Sequence, residues 1–413
     1  MLNRKIRVTN YLVTAFTLLF PLTDIAQNPI TNASDTGTVK SQLIDHGEKD
    51  VPDLIVKAFR LKRSGRDDSS KIPGKLLWSV FPVAGYALQS GGVAILATNV
   101  SFYTSAENTN LSVITFNPEY SFMQQAILPL IGSIWTANNK INFLSDWRFY
   151  KYPSYTYGLG SHSLLNQVDT IDYSYFKFDQ EALVKLATNL YGGLGYNLDY
   201  HWNIENYSDL TDFNYYDNND KQTVSSGLVA HLKYDNRENI NNPVSAFYGS
   251  IIYRWNSTLL GSDDDWQEVQ IEMRKYIKLN ERGTTKLALW SWDVFTFGGK
   301  PPYLDLPSTG WDTYNNTGRG YIQGRFRGNN MFYLESELRF NILKNGLLGG
   351  VIFANAETTP RTVSLVSNSV ISPGEGAGIR IKLNKYSNTN LCIDYGFGTQ
   401  GSRGFFFNIG EVF

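Results

Sequence analysis

The stretch RGFFFNIGEVF, residues 403–413, closes the sequence. Phe405, Phe407 and Ile409 share one parity with Phe413, and the residues between them are small or polar except Phe406. Successive side chains of a β-strand point to opposite sides, so this period of two predicts a strand with one apolar and one polar face. The stretch therefore predicts a final strand that presents a continuous apolar surface and closes on an aromatic residue.

The same alternation recurs along the chain beyond Leu76. Leu228, Ala230 and Leu232, for example, alternate with Val229 and the polar residues that follow it. Turn signals separate the segments, and we count about sixteen of them, most spanning about 9–15 residues. Strands of soluble proteins average about 5–6 residues, whereas a tilted membrane strand needs about 9–11. The segment lengths therefore favour strands that cross a membrane.

The beginning of the chain predicts export. MLNRKIR is a basic segment, and YLVTAFTLLFPL (11–22) is an apolar run of about 12 residues, shorter than the roughly 20 that a membrane-spanning helix needs. We predict a signal peptide over residues 1–26, cleaved after Ala26. Residues 27–75 are polar apart from DLIVKAFRL (53–61). They predict a short, mostly irregular periplasmic segment with one short helix, capped by Asp53.

A soluble β-sandwich would show the same period, but export, strand length and aromatic residues at strand ends favour a membrane barrel. A closed barrel also satisfies every backbone N–H and C=O, which lipid cannot do. An aromatic last residue is typical of bacterial outer-membrane barrels. We predict an all-β, 16-stranded antiparallel transmembrane β-barrel over residues 76–413 in the bacterial outer membrane. Glu411, the one charge on the apolar face of the last strand, is then expected near the membrane surface.

Composition argues against several other classes. Only 18% of the 413 residues are charged and the net charge is −1, so the chain as a whole does not attract nucleic acid. Cys392 is the only cysteine, which excludes an intrachain disulfide. His231 is expected to face the lumen beside Asp235 as a polar lining residue. No nucleophile, base and orienting residue are recognisably spaced, so we expect no enzyme, no metal site and no cofactor.

The segment GRGYIQGRFRGNN (318–330) contains three arginines and four glycines. No strand-to-helix context follows it, so a phosphate-binding or nucleic-acid-binding loop is disfavoured. A solvated surface loop and an inward-folded loop both fit the composition. In the strand that follows, parity places Glu335, Glu337 and Arg339 on the lumenal face. A buried arginine needs a partner because an unpaired desolvated charge is costly, and these carboxylates favour the inward-folded loop.

Taken in order, GRGYIQGRFRG, ESELRF, GVIFANAE, GAGIRIKL and FNIGEVF resemble the C-terminal barrel of the BamA/TamA superfamily, the bacterial surface-antigen barrels. YDNRENINNPVSAFYG (234–249) resembles a strand–loop–strand element of the same superfamily. The resemblance covers residues 76–413. It implies kinship with outer-membrane insertases and two-partner secretion pores. Those proteins usually carry POTRA domains before the barrel, and residues 27–75 are too short for one, so we expect a short form without them.

The resemblance implies a loop latch. The Arg-Gly-Tyr motif of the sixth extracellular loop would fold into the lumen, where its arginine meets acidic residues on strands 12 and 13. In this sequence the matching residues are Arg319, Gly320, Tyr321, Glu337, Phe353 and Asn355. Asn355 stands where the superfamily has an aspartate. Glu335 or Glu357 would have to supply the missing charge, or the latch would be weaker.

The resemblance also implies a functional seam between the first and last strands. The first strand, LLWSVFPVAGYALQS (76–90), carries Pro82 and Gly85, and the last carries Gly410 and Phe413. Proline cannot donate a ladder hydrogen bond and glycine weakens a strand. A weakly paired seam would open laterally and pair with the edge of a client strand. Alternatively, Pro82 marks only a strand bend or the entry to a turn.

Two functions of different kinds follow. The first is a barrel that assists assembly or export of outer-membrane or surface proteins. The second is a non-catalytic structural or interaction barrel, a subunit of a larger outer-membrane complex, whose segment 27–75 plugs the lumen or binds a periplasmic partner. A passive porin is a third, weaker option. The expected partners are the outer-membrane lipid bilayer and periplasmic or outer-membrane proteins, and no nucleic acid.

Overall fold

The computed structural model describes residues 47–59, 72–206, 221–360 and 369–413. The predicted signal peptide and most of the segment 27–75 lie outside these residues. The described part of that segment contains one helix, α1, Val51–Phe59. Asp50 and Asp53 cap it reciprocally: the main-chain N–H of each donates to the carboxylate of the other, at 3.1 and 3.0 Å. The cap is therefore Asp50, and Asp53 lies in the first turn.

The rest of the described chain is almost entirely β-structure, in eighteen strand segments of one sheet. Their bounds are β1 Leu77–Ala87, β2 Gly91–Phe102, β3 Ser112–Phe116, β4 Glu119–Ser121, β5 Ala126–Trp135, β6 Ile141–Lys151, β7 Ser154–Thr156, β8 Asp169–Ala187, β9 Leu190–Asn206, β10 Gln222–Asp235, β11 Ala246–Asn256, β12 Trp266–Lys278, β13 Thr285–Phe297, β14 Asn330–Asn341, β15 Leu348–Thr358, β16 Ser372–Asn384, β17 Thr389–Phe397 and β18 Arg403–Ile409.

The eighteen segments build sixteen barrel strands. β3 and β4 both pair with β2 and β5, and β6 and β7 both pair with β8, so each of these couples is one interrupted strand. All neighbouring pairs are antiparallel, from β1–β2 to β17–β18. This confirms the predicted class, a large antiparallel β-barrel. Because the number of barrel strands is even, β1 begins and β18 ends at the same end, called the terminus end below; the opposite end is the loop end.

The wall alternates as predicted. In β14, Glu335, Glu337 and Arg339 are buried inside, whereas Leu334 is 62% exposed on the outside. In β18, Phe405, at 49% exposure, is one of the residues of the outer apolar face. Such an inside-out distribution is what a lipid environment requires of a barrel. Within the described residues, no helix combines the length and the apolar character needed to cross a membrane.

The connection between β13 and β14, residues 298–329, is called the inward loop here because it folds into the lumen. It is the sixth connection at the loop end. Arg319, Tyr321 and Phe326 are each no more than 2% exposed. A backbone bridge between Ser308 and Arg327 closes the loop on itself. The loop thus packs as part of the interior.

The last residues of the chain correct a prediction. β18 ends at Ile409, and Gly410 has φ +94°, a left-handed conformation that glycine adopts without strain. The chain turns inward there, so Phe413 is 2% exposed and its ring stacks on Trp290 at 5.2 Å. The expectation that Phe413 shares the outer face with Phe405 is wrong, because parity carries no information once the strand has ended. Glu411 is likewise inside rather than near the membrane surface.

Strand lengths vary around the barrel more than the sequence predicts. β8 has 19 residues and β9 has 17, whereas β18 has only 7. At about 3.3 Å per residue, β18 spans about 23 Å along its own axis. A tilt of roughly 40° shortens this further, below the apolar band of about 25 Å that outer-membrane barrels present. The side of the barrel where the first and last strands meet is therefore its shortest.

Candidate functional site

The first candidate site is the place where the inward loop meets the wall. The guanidinium of Arg319 forms ion pairs with three carboxylates, those of Glu335 and Glu337 on β14 and Asp394 on β17. The bond from Nη1 to Asp394 Oδ2 measures 2.5 Å. The same guanidinium lies 3.8 Å from the ring centre of Phe353 on β15, a cation–π contact. One loop side chain thus links three wall strands.

The network extends to two further arginines and the end of the chain. Arg339 donates to Glu337 at 2.5 Å and to the main-chain oxygen of Phe413 at 2.9 Å. Arg380 pairs with Asp394 at 2.5 Å and with Glu411 at 2.7 Å. Each buried charge therefore has an opposite charge in contact, which offsets the cost of removing it from water.

Glu411 shows the electrostatic consequence. Burial by itself raises the pKa of this carboxyl, but Arg380, Arg339 and Lys286 oppose that effect and hold its pKa below the usual range. Glu411 is therefore ionised over the physiological range. Its ion pairs draw the last residues of the chain into the lumen.

Glycines on either side of Arg319 allow the close approach. Gly318 has φ +78° and Gly320 has φ +113°. A Cβ at Gly320 would lie 2.6 Å from the carbonyl oxygen of Phe397, and one at Gly318 would lie 2.3 Å from a side-chain carbon of Thr309. Any other residue would be strained at these positions and would push the loop away from the wall.

The remaining motif residues hold the loop backbone. The Tyr321 hydroxyl donates to the carbonyl oxygen of Pro373 at 2.5 Å and accepts from the N–H of Thr399 at 2.9 Å. Asn355 does not touch the Arg319 guanidinium; its Nδ2 donates to the main-chain oxygen of Arg319 at 2.9 Å. Glu357 accepts from the hydroxyl of Thr309 at 2.9 Å. Of the two glutamates expected to compensate for Asn355, Glu335 contacts the Arg319 guanidinium and Glu357 contacts Thr309 instead.

The other two arginines of the loop motif have different partners. Arg325 donates to the hydroxyl and the carbonyl oxygen of Ser163, both at 2.8 Å, which ties the inward loop to the connection between β7 and β8. Arg327 donates to carbonyl oxygens within the loop itself, those of Tyr303 at 2.9 Å and Leu306 at 3.2 Å. The three arginines thus fix the loop to the wall, to another loop and to itself.

The second candidate site is the junction of β1 and β18. Among the described residues, no backbone hydrogen bond joins these two strands, although β1 pairs with β2 over its whole length and β18 with β17. Side chains make the contact instead. The rings of Tyr86 and Phe407 meet edge-on with centres 6.3 Å apart, and Leu88 lies over Gly404. The contacts that the described residues make across this junction are therefore apolar.

Pro82 lies where its missing N–H affects the edge of β1 that faces β18. It stands opposite Leu96 on β2, and the Leu96 N–H donates away from β1, to the carbonyl oxygen of Pro118. Two residues that face each other in an antiparallel pair either both hydrogen-bond to each other or both point their N–H and C=O groups away from each other. The nitrogen of Pro82 therefore points away from β2, toward β18. The proline leaves the β1–β2 ladder intact and removes a donor from the free edge. Gly85 lies on the same strand with open space around it.

Helix α1 is fastened to the terminus end. The Lys385 ammonium, in the turn between β16 and β17, contacts Asp53 at 3.2 Å, and its main-chain N–H donates to Asp50 at 3.1 Å. The N–H of Lys49 donates to the carbonyl oxygen of Asn345 in the turn between β14 and β15. The helix is thus held beneath the turns of the same strands that carry the Arg319 network.

A cavity of about 1290 Å³ extends through the lumen away from the Arg319 network and borders it at Glu411 and Phe413. Its wall includes inward side chains of β8 to β12, and residues of the inward loop such as Trp311 cover its loop end. Charges on this wall pair with near neighbours: Arg148 with Asp146 at 2.5 Å, and Lys177 with Asp179 at 3.0 Å. None of the described residues fills the space between them.

The structure brings together most of the residues selected from the sequence and separates one. Arg319, Glu337 and Phe353 meet, and Gly320, Tyr321 and Asn355 position the backbone beside them. Pro82, Gly85 and Gly410 lie on or beside the two junction strands, whereas Phe413 has left that junction for the lumen. The sequence reasoning missed Asp394 and Arg380 as partners; their parity on β17 and β16, inward like that of Cys392, was the signal available.

Comparisons with known proteins agree on the fold. A scan against models of known protein families finds no match, and a search of curated proteins finds none. Solved structures do match. BamA from Haemophilus ducreyi lacking POTRA domains 1–3 is similar with a TM-score of 0.53 and 14% identity, over 86% of this chain and 76% of that one.

CdiB from Acinetobacter baumannii gives a TM-score of 0.50 at 13% identity, over 81% of this chain and 59% of that chain. CdiB from Escherichia coli gives 0.51 at 12% identity, over 82% and 63%. The chain thus spans less than two thirds of either CdiB chain. These similarities confirm the predicted resemblance at the level of the fold.

Proposed function

We propose that this chain is an outer-membrane barrel that assists the insertion or export of outer-membrane or surface proteins through the junction of β1 and β18. The observation that carries the proposal is the junction itself, which lacks a backbone ladder among the described residues. A strand edge with unpaired N–H and C=O groups can pair with the strand of another chain. The BamA-like fold supports the same function.

The rest of the architecture suits such a role. β18 is short, so the barrel wall has a small height at the place where a client would cross it. Closure by Tyr86, Phe407 and Leu88 replaces backbone bonds with apolar contacts, which separate without leaving a buried polar group unsatisfied. The Arg319 network keeps β14 to β17 joined while the neighbouring junction opens. Opening therefore requires no rearrangement of the loop latch.

A reversible crosslink tests the proposal. In the double variant Leu88→Cys/Gly404→Cys, the two cysteines would form a disulfide, because a Cβ at position 404 would lie 2.9 Å from Cγ of Leu88. We expect oxidised cells that depend on this variant to lose outer-membrane protein assembly and to recover it on reduction. The matched control is Ile393→Cys/Phe407→Cys, which joins β18 to its laddered neighbour β17. Normal protein levels with the first pair fully crosslinked would contradict the proposal.

A second candidate function is a structural barrel that serves as a subunit of a larger outer-membrane complex. The attachment of α1 to the turns at the terminus end through Lys385 favours it, because a fixed helix at the barrel mouth offers a docking surface. Affinity purification from native membranes separates the two functions. A stable partner that depends on α1, together with unchanged outer-membrane protein levels after depletion, would support the subunit over the assembly barrel.

A further inference from the structure

Three polar side chains from three different strands form a hydrogen-bonded chain on the wall of the cavity. Nδ1 of His231, on β10, lies 2.5 Å from a carboxylate oxygen of Glu181, on β8. Nε2 of the same ring lies 2.9 Å from the hydroxyl of Ser250, on β11. Carboxylate, imidazole and hydroxyl therefore stand in the order that activates a serine nucleophile.

A gap in the strand between them makes the contact possible. β9 separates β8 from β10, and its inward positions opposite Glu181 and His231 are Gly195 and Gly193. A Cβ at Gly195 would lie 2.6 Å from Cγ of Glu181. The two glycines leave the inner surface of β9 bare, so the carboxylate and the imidazole meet across it. A wall that needed only polar side chains on its inner surface would not require two glycines at these positions.

The carboxylate of Glu181 fixes the role of one ring nitrogen. A carboxylate accepts but does not donate, so Nδ1 carries the proton that bonds Glu181. In the neutral ring Nε2 is then the acceptor and takes its hydrogen bond from the Ser250 hydroxyl. This is the tautomer in which imidazole can remove the serine proton, and the carboxylate stabilises the imidazolium that results.

Neighbouring charges complete the surroundings of Ser250. Lys233 stands directly opposite on β10; its ammonium donates to Asn142 at 3.0 Å and retains further donors for a substrate oxygen. Glu272 stands opposite on β12, but Arg274 bonds it at 2.7 Å and neutralises it. A positive group thus remains on the side where negative charge would develop on a carbonyl oxygen.

The cavity supplies room for a substrate. Glu181, His231 and Ser250 all line the space of about 1290 Å³, which exceeds the usual 300–1,000 Å³ of small-molecule pockets. Apolar side chains such as Trp135, Tyr191 and Ile252 line it as well. The mixture suits a small ester with an apolar acyl group.

We propose that Glu181, His231 and Ser250 form a serine hydrolase site inside the barrel, acting on small carboxylic esters. A bond forms between Ser250 Oγ and the ester carbonyl carbon while the hydroxyl proton passes to His231 Nε2. The carbon–oxygen bond to the alcohol then breaks, and the alcohol leaves with that proton. Water, deprotonated by His231, attacks the acyl-serine and releases the carboxylic acid. The overall reaction consumes one ester and one water and involves no electron transfer.

Covalent labelling tests the nucleophile. The full chain in detergent is treated with a small fluorophosphonate, and the labelled peptide is identified by mass spectrometry. We expect labelling at Ser250 that is lost in Ser250→Ala and reduced at least about 100-fold in rate in His231→Ala. Ser145→Ala is the matched control, since Ser145 lines the same cavity but bonds Gln180 rather than a histidine. Absence of labelling at Ser250 in the folded wild-type barrel would overturn the proposal.

Glu181 is a positioning residue, and its test uses turnover of p-nitrophenyl butyrate. We expect Glu181→Gln to lower kcat by about 100-fold or more with KM unchanged, because the binding surface persists while the imidazole loses its orienting charge. A change in KM alone would assign Glu181 to binding and contradict the proposed role. The site lies far from β1 and β18 in strand order, so its failure or success is independent of the junction crosslink.

Discussion

The two sides of the lumen are built from the same kind of wall and hold different contents. On the side of β14 to β18, the inward loop and the last four residues fill the space, and Arg319 reaches three strands through its ion pairs and the Phe353 ring. On the side of β8 to β12, wall charges pair with near neighbours, as Lys177 does with Asp179, and a cavity remains. Inward polarity alone therefore does not decide whether a lumen is filled; a segment of opposite charge must be available to enter it.

The largest expected difference between the two sides comes from Arg319→Ala. Removing this guanidinium leaves Glu335, Glu337 and Asp394 buried with fewer partners, which typically costs about 3–5 kcal/mol. We expect a corresponding fall in unfolding free energy, measured by guanidinium titration in detergent, together with new protease cleavage in the inward loop. Gln270→Ala, on the cavity wall, is the control and is expected within about 0.5 kcal/mol of wild type. Equal losses for both variants would remove the contrast between the two sides.

A smaller effect is expected for Tyr321→Phe. The ring remains packed, but the carbonyl oxygen of Pro373 and the N–H of Thr399 lose their partner. A lost hydrogen bond of this kind costs about 1–2 kcal/mol. The same titration measures it, and the protease pattern of the loop should stay that of wild type because the Arg319 ion pairs persist. A loss as large as that of Arg319→Ala would show that Tyr321, and not the charge network, holds the loop.

A further prediction concerns pH. The folded-state pKa of Glu411 lies below its unfolded value because Arg380 and Arg339 outweigh burial. Its contribution to stability is therefore present above the unfolded pKa, about 4.3, and is lost as pH falls through the folded value. We expect Glu411→Gln to be less stable than wild type at pH 7, with the difference shrinking below about pH 4. A difference that does not change with pH would assign the effect of Glu411 to packing instead.

Local patterns were sufficient for the wall and for part of the latch. Alternation predicted inward Glu335, Glu337 and Arg339 because the side-chain period of a strand is independent of its neighbours. The resemblance supplied Arg319, Gly320 and Tyr321, since the loop motif is continuous in sequence. Parity failed at Phe413, where the strand stops at Ile409 and the chain turns inward to satisfy Glu411.

Contacts between distant strands required the structure. His231 was expected beside Asp235, four residues away on the same strand, whereas its partners are Glu181 and Ser250. That arrangement depends on the register of β8, β9 and β10. It also depends on two glycines, which have no side chain and so add nothing to a sequence pattern of polar and apolar residues. The absence of a ladder between β1 and β18 also depends on how the sheet closes, which neither strand determines separately.

The sequence by itself determined a barrel, because alternation over long segments leaves one face for lipid and one for the lumen. It also determined that an arginine-rich loop faced a row of carboxylates. Only the tertiary structure decided which carboxylates Arg319 meets, which part of the lumen the described residues leave as a cavity, and where the described wall lacks a backbone ladder. The physical reason is that side-chain direction is a local property of the backbone, whereas charge pairing, free volume and strand closure depend on register between segments far apart in the chain.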